Sequence, residues 1–266
     1  TMGTPFWWPD SFPYSYEIQL KYFFLFSLLS LCCSLLGIFV YVRYRAKRSL
    51  DIKYYLHELA HFLRDQQTKA YKKLLSKGKS DDSDRETEQL QSYAKNVCDR
   101  VKDYFTRLIK DTTVEVAIRL ATESTEDVKA QKIVYTTVGR SSGLSSKREG
   151  TTEGISANEG IPRFFIEEKE SRGILIYNDL NKASLIGAYK WTTNDRNFPD
   201  EIKTMMVAPL NAWDGKRQSM IGILYITSRE SNAFSIIYVD SMRFVADIVA
   251  KAFEHFICQR KHLNKL

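Results

Sequence analysis

Histidine is scarce in this chain, four in 266 residues, and none falls between His61 and His255. That gap leaves no Ser-His-Asp set to be read in the body of the chain. Cysteine is equally scarce. Cys32 and Cys33 lie in an apolar run, while Cys98 and Cys258 fall on amphipathic helical patterns, where a free thiol acts as a small apolar group. No CxxC pair occurs, so neither a disulfide framework nor a zinc ribbon is expected. The phosphate-binding pattern GxxxxGK[ST] is missing too: Gly78-Lys79-Ser80 has Lys73 where the earlier glycine is required. The net charge of +7 does not point to nucleic acid. Four basic residues form one cluster, and no basic stripe interleaved with aromatics follows.

What the chain does have is a charge-free stretch of 21 residues at 22–42, YFFLFSLLSLCCSLLGIFVYV. A membrane-spanning helix needs about 20 apolar residues. Arg43, Arg45, Lys47 and Arg48 follow it, against Lys21 alone in front. The positive-inside rule then places the C-terminal part in the cytoplasm of a single-pass protein of the cell membrane. Trp7, Trp8, Tyr14 and Tyr16 suit an interfacial aromatic belt. A cleaved signal peptide fits poorly, because the run is long and its basic cluster is on the wrong side. The organisation expected is a short extracytoplasmic segment at 1–21, the span at 22–42 and a juxtamembrane amphipathic helix at 43–76. A linker at 77–88, a folded domain at 89–260 and a tail at 261–266 complete it.

Beyond the basic cluster, Ile52, Leu56, Leu59, Leu63, Gln66 and Ala70 recur at alternating spacings of four and three. That is the seam of a helix able to pair with a copy of itself or with a partner. With Leu90, Val97 and Val101 of the next helix, it makes a homo-oligomer the expectation, most simply a parallel dimer. The same helix carries His57-Glu58-Leu59-Ala60-His61, an HExxH pentapeptide. In zinc metallopeptidases of this signature two histidines share the metal and the glutamate is the general base. A catalytic zinc needs a third protein ligand, and Arg64 and Gln67 occupy the last two positions of the extended signature. The seam also leaves both histidines on the solvent side. An exposed or partner-facing pair is therefore expected; a peptidase is the alternative, and a non-catalytic metal clip a third reading.

An amphipathic pattern from Glu86 to about Lys110 follows, with Leu90, Ala94, Val97, Val101, Phe105 and Leu108 as its buried stripe. Period-two alternation in DTTVEVAIRLATES and QKIVYTTVGR predicts two strands. A Gly/Ser-rich, charged stretch reads as a long loop. A short helix is expected from Pro162, a strand in RGILIYND, and an irregular polar excursion over Asn178–Phe198. KTMMVAPL and SMIGILYITS are two more strands, the latter nearly all apolar and so central, joined through NAWDGKRQ with its Asp214-Gly215 turn signal. A final helix runs from Ile236 through Val239, Met242, Val245, Val249, Ala252, Phe253 and Phe256 to about Gln259.

The last 60 or so residues resemble a GAF domain. Met206-Val207-Ala208-Pro209-Leu210 stands where the family has an apolar strand ending in Pro-Leu. Ile221-Gly222-Ile223-Leu224-Tyr225-Ile226 stands for the strand after the hairpin, and Asn232-Ala233-Phe234-Ser235 for the entry to the last helix. Ile174 to Asp179 resembles the central strand that ends in an aspartate. The resemblance covers about residues 88 to 260. It implies an α+β fold in which an antiparallel sheet is flanked by helices. It also implies a regulatory module with a small-molecule pocket between the sheet and its variable excursions. The lining implied is Arg163, Phe165, Tyr177, Asp179, Tyr189, Trp191 and Tyr225. No cofactor is expected: bilin attachment needs a pocket cysteine and haem an axial histidine, and the domain body offers neither. The resulting expectation is a non-enzymatic, membrane-anchored sensor or effector subunit. It would bind a small molecule or an unidentified signalling partner and couple it to helix packing at the membrane. A membrane-disrupting effector acting through assembly of its spans is a further alternative.

Overall fold

The computed structural model describes residues 16–75, 83–123, 133–143, 153–167, 173–198, 201–213 and 218–263. The chain divides into two units, Thr1–Lys53 and Tyr54–Leu266. Helix α1 (Tyr16–Leu75) starts in the first and continues into the second. Within the first unit every side chain from Lys21 to Leu50 is exposed. It is the one helix among the described residues long and apolar enough to cross a membrane. A helix apolar on all sides and uncovered by protein suits lipid better than water.

The second unit is built on six strands: β1 (Glu115–Glu123), β2 (Ile133–Arg140), β3 (Ile155–Ser156), β4 (Leu175–Tyr177), β5 (Thr204–Trp213) and β6 (Gln218–Ser228). Every neighbouring pair is antiparallel, in the order β3-β2-β1-β6-β5-β4. The apolar β6 is central, as its composition implies. Helices α2 (Ser83–Ile109) and α6 (Val239–Leu263) cover one face. Val116, Ile118 and Leu120 of β1, Met206, Ala208 and Leu210 of β5, and Leu224 and Ile226 of β6 are buried on that side. Val97, Val101 and Phe105 meet them from α2, and Met242, Val245 and Val249 from α6. Two glycines set the closeness of this packing. A Cβ on Gly139 would stand 2.6 Å from Ala94 Cβ on α2, and one on Gly222 would stand 2.5 Å from Arg119 O.

The other face carries a second apolar cluster, including Tyr135, Val207, Ile223 and Tyr225 from the strands. It is roofed by α3 (Gly160–Glu167), α4 (Leu180–Leu185) and α5 (Thr193–Asn197). The Asn178–Phe198 excursion is thus not irregular: it holds two helical turns. Asp179 caps α4 by accepting from Lys182 N, and Thr192 and Asp195 form a reciprocal capping box on α5. Elements of five or six residues are too short to show a helical period, which is why the pattern hides them.

Other boundaries shift as well. Helix α2 begins at Ser83 instead of Glu86, so the expected linker ends earlier. Helix α3 starts at Gly160, whose φ is +54°, and not at Pro162. The short β3 lies inside the Gly/Ser-rich stretch read as loop, pairing with β2 at Val134 and Tyr135. Asn211, Ala212 and Trp213 belong to β5 and not to its connection; Asp214-Gly215 lies outside the described residues. Ile236, expected on the buried stripe of the last helix, is exposed in a 3-10 turn before it.

Candidate functional site

Strand alternation places Ala117 and Arg119 of β1 on the face opposite Ile118, and Tyr225 of β6 pairs with Ala117 in register. On the other side of β1 the register shifts: Ile118 faces Gly139 but Arg119 faces Thr137, leaving Val138 as the extra residue of a β-bulge. The bulge lets Gly139 sit beneath α2 while Thr137, two residues earlier, joins Arg119 on the opposite face. Bulges recur where a side chain is re-aimed beside a functional site.

Ala117, Arg119, Thr137 and Tyr225 line a cavity of about 80 Å³ together with Ile161, Tyr189, Ile202 and Met205. Arg119 is 9% exposed. Its Nη1 donates to Glu153 O at 2.8 Å and Tyr135 O at 3.4 Å. Asp195, on α5, is also buried. Its Oδ2 accepts from Tyr189 Oη at 2.8 Å, Thr192 Oγ1 at 2.7 Å and Thr192 N at 3.2 Å. Glu153 joins the two sides of the cavity. Its carbonyl holds Arg119, and its carboxylate accepts from Thr193 N at 2.7 Å. That bond holds the Glu153 carboxyl below its ordinary value.

The tyrosines of the cavity are held neutral. Burial pushes the Tyr225 phenol well above its ordinary value, and the opposing Arg119 charge does not offset it. Burial, then the Asp195 carboxylate, does the same to Tyr189. Tyr135 beside them is pushed up to about 12 by burial. All three remain hydroxyl donors at any physiological pH. Tyr225 Oη and Thr137 Oγ1 are buried and have no hydrogen-bond partner among the described residues.

Of the seven lining residues expected from the sequence, Tyr189 and Tyr225 border this cavity. Phe165, Tyr177 and Trp191 pack in the same apolar cluster behind it. Trp191 meets the Tyr189 ring edge-on at 5.2 Å, and Tyr177 Oη donates to Ala188 O at 3.5 Å. Arg163 and Asp179 are not brought to it. Arg163 is exposed and pairs with Glu167, and Asp179 caps α4 and pairs with Lys182. Sequence reading missed Arg119, Thr137 and Asp195. The one signal for Arg119 was local: its nearest strand neighbours of the same parity, Ala117 and Ala121, are small and apolar, although Glu115 and Glu123 at the strand ends share that parity.

The juxtamembrane part of α1 within the second unit lies on α2. Arg100 stacks over the Phe62 ring at 4.6 Å and Arg107 over Tyr55 at 5.3 Å. Leu59, Leu63, Val97 and Val101, expected in an intermolecular seam, are buried inside the single chain. Leu56 and Leu90 are half-buried, Ile52 lies on α1 in the first unit, and the Ala70 side chain is outside the described residues. His57 and His61 are exposed, with Nε2 atoms 2.9 Å apart, and Arg64 Nη2 is 2.6 Å from His61 Nδ1. Among the described residues no third His, Cys, Asp or Glu joins them in a group able to hold a metal.

No protein-family profile and no curated protein matches the chain. Among solved structures it is similar to the type II free methionine-R-sulfoxide reductase from Thermoplasma acidophilum, at 15% identity over 63% of this chain and 96% of that one, with a TM-score of 0.42. It is also similar to the GAF domain of the Acinetobacter phosphoenolpyruvate-protein phosphotransferase, at 12% identity over 70% and 98%, TM-score 0.38. A third is the phycocyanobilin-bound GAF domain of a cyanobacterial phytochrome, at 11% identity over 75% and 97%, TM-score 0.41. The antiparallel sheet, with paired helices on one face and a roofed cavity on the other, is the GAF-like arrangement that the sequence resemblance implies.

Proposed function

We propose that the chain is a non-enzymatic, membrane-anchored sensor subunit whose GAF-like domain binds a small molecule in the cavity on β1, β2 and β6. The observation that supports it is the cavity wall itself, where a buried Arg119 and two hydroxyls without a partner among the described residues converge among apolar side chains. Convergent polar groups in an apolar concavity are the usual mark of a ligand site. The same strands carry the α2 layer on their other face, and α2 carries the juxtamembrane helix through Arg100–Phe62 and Arg107–Tyr55. Occupancy of the cavity would bias that helix pair, and the continuous α1 would carry the bias towards the span. The domain faces the cytoplasm. Copies associate through the exposed N-terminal part of α1, and a separate signalling partner delivers the output.

The test is whether small molecules travel with the protein. Full-length protein purified in mild detergent, examined by native mass spectrometry, should carry a species of low mass. Ala117→Leu, which fills the cavity from β1, should lose it. Identical spectra for the two proteins would contradict the proposal.

A further inference from the structure

We propose that the cavity's ligand is a small organic monocarboxylate, held by Arg119, Tyr225 and Thr137. The inference rests on the sensor reading above and adds the chemistry of the ligand. A buried guanidinium is costly unless its donors are met and its charge is balanced. Arg119 meets backbone carbonyls through Nη1 alone, and no described carboxylate lies within ion-pair distance of it. The nearby acids are already engaged: Asp195 accepts from Tyr189 and Thr192, and Glu153 from Thr193 N. The remaining donors of Arg119 form a planar fork, which matches the two oxygens of a carboxylate.

Two further donors stand in the same wall. Thr137 is the register partner of Arg119, and Tyr225 lies over the neighbouring strand with the Arg119 guanidinium 5.8 Å from its ring centre. The hydroxyls of both are buried and take no partner among the described residues. A carboxylate can accept from both as well as from Arg119; an amine cannot. Lys190 and Glu115 at the cavity are already ion-paired, with Glu159 and Lys102 respectively, so the ligand's anionic group is placed against Arg119. Ile161, Ile202 and Met205 supply apolar wall for a short aliphatic tail. The volume of about 80 Å³ suits a ligand of a few non-hydrogen atoms.

The experiment uses the full chain in lipid nanodiscs. Acetate, propanoate, butanoate and pyruvate are titrated by ligand-observed NMR and by the shift in unfolding temperature, with propanamide, propylammonium and inorganic phosphate beside them. At least one carboxylate should bind and raise the unfolding temperature with concentration, as linkage requires. Arg119→Gln should weaken that binding at least tenfold. Tyr225→Phe should weaken it several-fold with folding intact, because the hydroxyl it deletes has no partner among the described residues. Carboxylate binding indifferent to both substitutions overturns the proposal, as does phosphate binding more tightly. Binding of propanamide or propylammonium in place of the acids overturns the ligand class and leaves the sensor reading standing. If none of the seven binds, the ligand class fails; if wild type and Ala117→Leu also carry identical co-purified molecules, the sensor reading fails with it.

Discussion

The guanidinium carbon of Arg119 stands 5.8 Å from the centre of the Tyr225 ring, on the cavity side of two adjacent strands. One residue away on each strand, Ile118 and Leu224 are register partners and are buried in the helix layer. Two neighbouring positions on β1 therefore serve opposite sides of the sheet. A ligand that pulls on Arg119 acts on the backbone that seats α2.

The turn between α2 and β1 is an acid-sensitive tie. Asp111 accepts from Thr113 N and Thr113 Oγ1, each at 2.7 Å, and from Ser228 Oγ at the end of β6. Burial pushes the Asp111 carboxyl up, but these bonds outweigh it and hold it below its ordinary value. The stability this adds is present above the ordinary carboxylate range and is lost as pH falls through the depressed value. Asp111→Asn should cost roughly 1–3 kcal/mol at neutral pH. Denaturant unfolding of the two proteins across pH should converge in acid.

Alkali should act through the buried tyrosines. Tyr225, Tyr189 and Tyr135 all have raised folded values. Their contribution is complete below the ordinary tyrosine value, about 10, and declines as pH rises above it. Ultraviolet titration should show phenolate appearing together with unfolding. Ionisation of all tyrosines at their ordinary value, with the fold intact, would contradict the burial.

Gly139 and Gly222 test the packing. Alanine at either would force Ala94 or the β1 backbone aside. Each substitution should destabilise by roughly 1–3 kcal/mol, the usual cost of overpacking. Gly187, where a Cβ meets nothing within 4 Å despite a φ of +73°, probes conformation alone. Its alanine variant should lose less, as read by unfolding midpoints.

The exposed His57–His61 pair should not hold a catalytic zinc. Metal analysis of protein purified without chelator should find less than about one zinc per chain, since a catalytic site takes three protein ligands. Glu58→Gln should leave ligand binding unchanged. Stoichiometric zinc, lost in a His57→Ala, His61→Ala double variant, would revive the peptidase alternative.

Much of this fold was legible because burial imposes a period. Val116, Ile118 and Leu120 alternate with Ala117 and Arg119, and Ala94, Val97, Val101 and Phe105 repeat at helical spacing. The site was less legible, for three physical reasons. A charge in an alternating strand, Arg119 between Glu115 and Glu123 of the same parity, looks like a solvent-facing residue until the roof of α3–α5 is known. The bulge at Val138 puts Thr137 and Gly139 on opposite faces, which no alternation in the sequence reveals. Side-chain caps such as Thr192–Asp195 make helices of five residues without any period. Arg163 and Asp179, which the family resemblance implies for the lining, are engaged in ion pairs with Glu167 and Lys182, and Asp179 in a helix cap. The oligomer seam was legible as apolar spacing, but spacing does not say whose surface covers it, and here Leu59 and Leu63 are buried within the single chain.

Orientation in the membrane can be read independently of the cavity. A reporter active only in the cytoplasm, fused after Leu266, should be active, given the basic residues at 43–48. Activity of an exported reporter alone at that site would reverse the topology.

The central claim is that the cavity and the helix layer form one coupled unit. Hydrogen exchange of the full chain in nanodiscs tests it most directly, with and without the tightest-binding carboxylate. Binding should slow exchange in β1, β2 and β6, and also in α2 and residues 54–75, in wild type but not in Arg119→Gln. Slowing confined to the strands, or equal in the two proteins, would contradict it.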